Sequence, residues 1–385
     1  MKILHILSSL DDRSGGPLRA VIDLSSAAMD FGLDSELVGP APFRASECAL
    51  PMEKIHVLSR ARSPWSFIPD LRQWLAANVS RFDGVVIHGL WLHPGWCAAS
   101  ICSMNSVPYS VFPHGMLDIW PVYGQGIIKA TKKWVYWHLL ERKVVSGSMC
   151  VFYTTKREMV NATSVFKTAA PAAIVVPYGA LHSTTSLDIA EVDIAVREKS
   201  EGKFALFLGR LHPKKNVEFL LRAWATAAMP PEWTLLIAGE GSAHYKEKLN
   251  RIVLELGISR CVSFVGHVGG ANKTHLLRSA AWFLLPSSQE NFGIAPLEAI
   301  GAGCPIAVSP EVYLSEYLHN RSEIIPLEQA EWIDFLRTRM TNPEHRDRIV
   351  QLDIKYILPK FEMANVASAW ATTLSSFFGR VPRRA

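Results

Sequence analysis

Apolar positions along this chain come in two rhythms. Short solid runs at Ile3–Leu7, Leu37–Val38, Ile55–Leu58, Val85–His88, Tyr109–Phe112, Cys150–Tyr153 and Ile174–Val176 are too short for helices. Such runs read as strands of a parallel sheet, apolar on both faces because both faces are covered. Between them lie longer amphipathic stretches near 16–32, 67–79, 94–104, 127–145 and 155–161, which predict helices. Alternation of this kind builds a doubly wound α/β domain. From Pro177 to about Arg197 the composition loosens and predicts an interdomain linker. The rhythm then restarts. Strands at Phe204–Leu208, Leu235–Ala238, Val262–Val265, Trp282–Leu285 and Ile306–Val308 alternate with helices near 216–227, 243–257, 271–280 and 294–302. The halves share no close repeat but spell the same architecture, so two domains are expected, 1–180 and 198–360. In each, a ligand belongs at the carboxyl ends of the strands. The tail from Asn342 is helical again, broken at Tyr356–Pro359, and its last helix carries Val366, Trp370 and Leu374 on one stripe.

Composition agrees with two ordinary domains. The 385 residues suffice for two cores, and 49% hydrophobic with 19% charged content describes a globular chain. No apolar stretch reaches the roughly 20 residues of a spanning helix. Met1–Leu7 leads straight to Asp11 and Asp12, so it reads as a first strand, and no secretory leader is expected. The six cysteines form no CxxC pair and mostly sit in apolar runs, which fits reduced thiols in a cytoplasmic protein. A net charge of +5 does not point to nucleic acid. The charge is uneven, however. Between Trp120 and Lys167 eight basic residues face two acidic ones, around Trp134, Tyr136 and Trp137. That segment has the composition of a helix lying on an anionic membrane, and equally of a solvated helix whose aromatics face the core.

Chemistry concentrates where strands give way to helices. After Trp282–Leu285 comes a polar loop with Glu290, then Asn291-Phe292-Gly293, with the helix opening at Ile294 and carrying Glu298. Free backbone N–H groups at a helix start hold an anion. Carboxylates beside an anion site make sense when the ligand also carries hydroxyls, and phosphate plus hydroxyls describes a nucleotide-sugar. A second such place is Gly209-Arg210-Leu211-His212-Pro213-Lys214-Lys215-Asn216, where two cations flank a helix start and can neutralise a diphosphate. Gly239 and the Gly266-His267 pair occupy further strand-end turns. Gly16 opens the first helix, where backbone can approach a phosphate; no GxGxxG pattern is present to make this a dinucleotide site. His88 and His114 each end a strand, with Trp91 just beyond His88.

The spacing Glu-x-Phe-Gly-x-x-x-x-Glu, followed by Glu-Ala-x-x-x-Gly-x-Pro, together with Gly-Arg-Leu-x-x-x-Lys, resembles the signature of the retaining GT-B glycosyltransferases of family 4, the glycosyl transferases group 1. The resemblance covers most of the second half and reaches the first half through short motifs. It implies two facing Rossmann-like domains with a cleft between them, the first on the acceptor side and the second on the donor side. It also implies that the final helix, about 363–385, returns to the first domain. It places Arg210 and Lys215 on the diphosphate, Lys215 rather than Lys214 by register. Glu290 would take the sugar hydroxyls, Glu298 the ribose, and His114 a place beside the sugar ring. Gly16, Gly209, Gly239, Gly266, His267, Asn291, Phe292, Gly293 and Ile294 would line the donor, with His88 and Trp91 towards the acceptor.

The implied reaction transfers a hexosyl group from a UDP- or GDP-sugar to an acceptor hydroxyl with retention, the leaving phosphate serving as base. No glycosidase-type carboxylate pair and no DxD-type pair is apparent, so a metal-independent reaction without a cofactor is expected. The setting implied is cell-surface polysaccharide, O-antigen or lipid-linked oligosaccharide synthesis, in the cytoplasm or at the cytoplasmic face of the inner membrane. A nucleotide-sugar epimerase of the same fold and a non-catalytic nucleotide-sugar-binding partner are the rival readings. The chain departs from the family pattern after Val308, where Glu311–Asn320 replaces a glycine-rich ribose-side turn.

Overall fold

A computed structural model describes residues 1–11, 16–45, 48–119, 126–166, 172–180, 192–318 and 322–379. The chain divides into two compact units, Met1–Gly179 with Met363–Ala385, and Ala180–Glu362. The first contains seven strands: β1 (Lys2–Ile6), β2 (Asp34–Pro40), β3 (Ile55–Leu58), β4 (Gly84–His88), β5 (Tyr109–Phe112), β6 (Val151–Tyr153) and β7 (Ala173–Val175). They pair in the order β3-β2-β1-β4-β5-β6-β7, and every pairing is parallel. The second unit contains β8 (Lys203–Leu208), β9 (Trp233–Ala238), β10 (Val262–Gly266), β11 (Trp282–Leu285), β12 (Ile306–Val308) and β13 (Glu323–Ile324), in the order β10-β9-β8-β11-β12-β13, again parallel.

Strand order reverses direction beside β1 and β4 in one sheet and beside β8 and β11 in the other. Helices on either side of such a point leave in opposite directions and open a crevice at the strand carboxyl ends. The solid apolar runs fall in the strands because both faces are buried: Val85, Val86 and Phe283 are all inaccessible to solvent.

Helix Met363–Phe378 lies in the first unit and packs on helix Pro17–Ala28. Its stripe of Val366, Trp370 and Leu374 is buried. The Trp370 ring stands 4.6 Å from that of Phe152 and 6.4 Å from that of His5. Phe378 lies so close over Gly84 that a Cβ there would come within 2.2 Å of its ring.

Three departures from the sequence expectation have physical reasons. The stretch expected as linker ends in a helix, Ile194–Lys199, whose short polar sequence hides its one buried residue, Val196. It is held through Lys199, which donates to the Phe264 carbonyl at 2.9 Å. β13 was not expected, because two residues carry no periodicity. The expected helix 127–145 is continuous but widens into a π-turn at Trp137–Glu141. That turn divides its aromatics, so Trp137 is buried while Trp134 is 55% exposed.

Removing the Trp370 ring empties the space between the terminal helix and the first sheet. Trp370→Ala is expected to destabilise the first unit by about 3–5 kcal/mol in a denaturant titration, the range for large aromatic truncations. An unchanged midpoint would mean that the terminal helix is not part of this core.

Candidate functional site

Turns after β8, β9, β10 and β11 supply most of the candidate residues. Gly209 follows β8 and donates its N–H to the Ala238 carbonyl at 3.0 Å, and Gly239 donates to that of Gly266 at 2.7 Å. The turns are in backbone contact: a Cβ on Gly239 would lie 1.9 Å from the Gly209 carbonyl oxygen. Leu211 N–H then reaches Glu240 at 2.7 Å, so the three turns are joined edge to edge. Gly266 has φ +83°, which an L side chain rarely adopts, and His267 beyond it is exposed.

The loop after β8 tightens into a 3₁₀ turn, Pro213–Lys215, and Asn216 turns left-handed to start helix Val217–Ala227. This places Lys214 and Lys215 against the loop after β11. Ser288 donates from its backbone to the Lys214 carbonyl at 2.8 Å and from its hydroxyl at 3.1 Å. Lys214 Nζ meets Gln289 Oε1 at 3.3 Å, and Lys215 Nζ forms an ion pair with Glu290 Oε2. Both members of that pair are largely buried, their side chains 13% and 19% exposed. Burial, followed by the nearby charges of Lys214 and Arg210, pushes the Lys215 ammonium down to about 7. Glu290 is the opposing group beside it. Arg210 is exposed at the rim.

Glu290 and Phe292 are pinned by backbone bonds from Tyr313 and Leu314, at 3.2 and 2.9 Å. Phe292 is buried edge-on against Phe361. Asn291 is partly buried. Gly293 has φ +99°, and a Cβ on it would meet Val312 at 2.8 Å, so only glycine lets helix Ile294–Gly301 begin here. Ile294, its first residue, is partly exposed.

Two expectations for this unit change. Glu290 and Lys215, expected on different parts of a ligand, are held by each other. Glu298, expected on the ribose, has Lys273 of helix Gly270–Ser279 at 2.7 Å.

The first unit differs more. His114 follows β5 with φ 51°, and both ring nitrogens are in use, Nε2 with His88 Nδ1 at 2.8 Å and Nδ1 with Tyr178 Oη at 2.5 Å. No ring nitrogen is therefore left over for a sugar. His88, expected on the acceptor side, is buried behind His114 and faces it. Trp91 is anchored through Nε1 to the Met116 carbonyl at 3.0 Å, and its ring receives Lys133 Nζ at 5.1 Å. Gly16 is exposed and right-handed, φ −66°, so its freedom is not used there; Ser14 and Gly15 lie outside the described residues.

Glu158 was missed from sequence. It is buried and accepts from Gly115 N–H at 2.6 Å and from both the N–H and hydroxyl of Thr154 at 2.7 Å, fixing the turn that carries His114. An acid isolated among the bases of that segment was the available signal. Among the described residues no three His, Cys, Asp or Glu side chains gather as a metal site.

Two family models match the chain, one described as glycosyl transferases group 1 over residues 188–352 and one as glycosyl transferase 4-like domain over 15–179. An uncharacterized glycosyltransferase of Methanocaldococcus jannaschii is 37% identical over 111 residues, covering 29% of this chain and 28% of that protein. An alpha-1,3/1,6-mannosyltransferase of Mus musculus is 36% identical over 141 residues, covering 31% and 34%. The matched segments thus span about a third of these curated relatives. The Anabaena protein HepE, solved with UDP and glucose, superposes with a TM-score of 0.75 at 16% identity over 98% of this chain and 100% of that one. This likeness is one of fold, the GT-B class with its two doubly wound domains.

Lys215 titrating near 7 has a measurable sign. The ammonium is charged below that pH and loses its charge above it. Its signal is expected to titrate between about pH 6 and 8, read from ¹³C-methylated lysines in wild type and Lys215→Ala. A transition in that range that persists in the variant would show that another group titrates.

Proposed function

Because the chain belongs to the glycosyl transferases group 1, we propose that it is a retaining hexosyltransferase that moves a sugar from a nucleoside diphosphate to an acceptor hydroxyl. The observation that carries this reading is the Lys215–Glu290 pair at the switch point of the second sheet. An arriving diphosphate offers Lys215 a stronger anionic partner. Glu290, released, is left with acceptor oxygens for the sugar's hydroxyls. Arg210 at the rim and the helix start at Gly293 add positive charge where the leaving diphosphate develops its negative charge. Glu298 serves the ribose once Lys273 yields it. Gly209, Gly239, Gly266 and His267 form the floor beneath the nucleotide. His114 acts through its ring edge, since both nitrogens are held within the first unit.

In this reading the leaving phosphate takes the acceptor's proton, and the lysine, arginine and helix start supply the positive charge that a divalent ion gives elsewhere. HepE, solved with UDP and glucose, makes a UDP-sugar the first donor to try. Thermal shift and product analysis with UDP- and GDP-sugars test the proposal, since a ligand of the native state raises its melting point. We expect one nucleotide class to stabilise the protein, Lys215→Ala to lose that shift, and Glu290→Gln to keep binding but lose at least about a hundredfold in turnover. Donor binding without nucleoside diphosphate release in the presence of varied acceptors would favour a binding partner. Sugar conversion without any acceptor would favour an epimerase.

The segment 127–146 supports a lipid-linked acceptor at an anionic membrane surface, in O-antigen or related polysaccharide synthesis. Ile128 and Leu139 are 87% and 64% exposed alongside Trp134, and Lys129 and Lys132 stand among them. Among the described residues no helix is long and apolar enough to cross a membrane. The expected contact is therefore interfacial. Flotation with phosphatidylglycerol vesicles should recover the wild type, and Trp134→Glu with Leu139→Glu should weaken recovery at least about tenfold. Equal recovery of both would remove the membrane from this reading.

A further inference from the structure

The first unit holds three histidines and a tyrosine in one unbroken line. His5 lies on β1, His88 ends β4, His114 follows β5 and Tyr178 follows β7. Because β1, β4 and β5 are neighbours in the sheet, the three rings come from adjacent strands. His5 Nδ1 meets His88 Nε2 at 2.9 Å, His88 Nδ1 meets His114 Nε2 at 2.8 Å, and His114 Nδ1 meets Tyr178 Oη at 2.5 Å. Successive rings lie edge to edge and nearly parallel, with centroids 5.1 Å apart in both pairs and planes 27° and 15° from one another.

Burial lowers the pKa of all three rings, to about 3 for His5 and His114. Each is therefore neutral at pH 7, with one N–H and one bare nitrogen. Every bond in the line joins Nδ1 of one ring to Nε2 of the next, so the tautomer of one ring dictates that of its neighbour. Only two arrangements satisfy all three bonds. Either every ring carries its proton on Nδ1 and the bonds run from His5 towards Tyr178, or every ring carries it on Nε2 and they run back. The end at His5 decides between them. Its Nε2 is buried and has no hydrogen-bond partner among the described residues. A proton there would be an orphan buried donor, the rarer and costlier defect, whereas a bare lone pair is better tolerated.

We propose that the line is a one-way relay in which His5, His88 and His114 all carry their protons on Nδ1, so that His5 and His88 are positioning residues that commit His114 to donate to Tyr178. The Tyr178 oxygen is then an acceptor from His114, and its own proton points away from that ring. The relay is an assembly of the first unit alone. Its bearing on turnover rests on the transferase reading of His114.

The test is the tautomer of each ring in full-length protein labelled with ¹⁵N-histidine, read from two-bond ¹H–¹⁵N spectra at neutral pH. We expect the Nδ1–H form at His5, His88 and His114; a stable Nε2–H form at any of them would overturn the proposal. Tyr178→Phe removes the final acceptor, and the His5 ring, three side chains away, is expected to gain Nε2–H population. A His5 spectrum that does not change would mean the rings are uncoupled. If that variant does not fold, the wild-type spectrum alone still decides the direction. For function, His5→Phe keeps a ring in the line but removes the first donor. Turnover is expected to fall at least fivefold with the melting point within a few degrees of wild type, and unchanged turnover would remove the positioning role. A wild-type protein with no transferase activity would sink the transferase reading and leave the spectra interpretable.

Discussion

An ammonium and a carboxylate taken out of water must hold each other, and the second unit is arranged around one such pair. Lys215 and Glu290 lie on loops more than seventy residues apart in sequence, brought together because β8 and β11 are neighbours where the strand order turns. Either charge left alone in that position would cost several kcal/mol. The surrounding bonds between Ser288 and Lys214 keep the loops in register, so that neither charge is stranded. Such a pair contributes little net stability, because desolvation consumes most of the attraction. What it does provide is a cation and an anion held at close quarters where the strand order turns.

The floor beneath the pair is made of backbone. Gly209, Gly239 and Gly266 allow three consecutive strand-end turns to touch without intervening side chains. Main chain in contact with main chain leaves few rotamers to adjust, so the surface is fixed before anything binds. The helix start at Gly293 is fixed in the same way, by Val312 below and by bonds from Tyr313 and Leu314. Preorganisation of this kind is what electrostatic catalysis requires, since dipoles already aligned need not be reoriented during the reaction.

The alternating strands and helices were legible because a doubly wound fold writes its topology locally, as solid apolar runs between amphipathic ones. The places of Arg210, Lys215, Glu290 and Gly293 after strands were legible for a related reason: polar and glycine residues at a strand end stand out against the apolar run before them. The pairings were not legible. Glu298 with Lys273, Glu158 with the Gly115 turn, and the histidine line all join residues 25 to 83 positions apart, and nothing local marks them. His114 shows the limit most clearly. Its place after a strand was readable, but the partners that occupy both its nitrogens come from β4 and from beyond β7. Short elements escaped likewise, since two residues of β13 or six of Ile194–Lys199 hold no rhythm to detect.

The first unit is assembled from two stretches, Met1–Gly179 and Met363–Ala385, with the second unit inserted between them as one continuous stretch. On the ribosome this sets an order of events. The inserted unit emerges whole and can close its core at once. The seven-stranded sheet, although synthesised earlier, waits for Trp370, Leu374 and Phe378 to cover it. Until then an apolar face of the nascent chain is open. Helix Met363–Phe378, made after both sheets, is thus the element that closes this face.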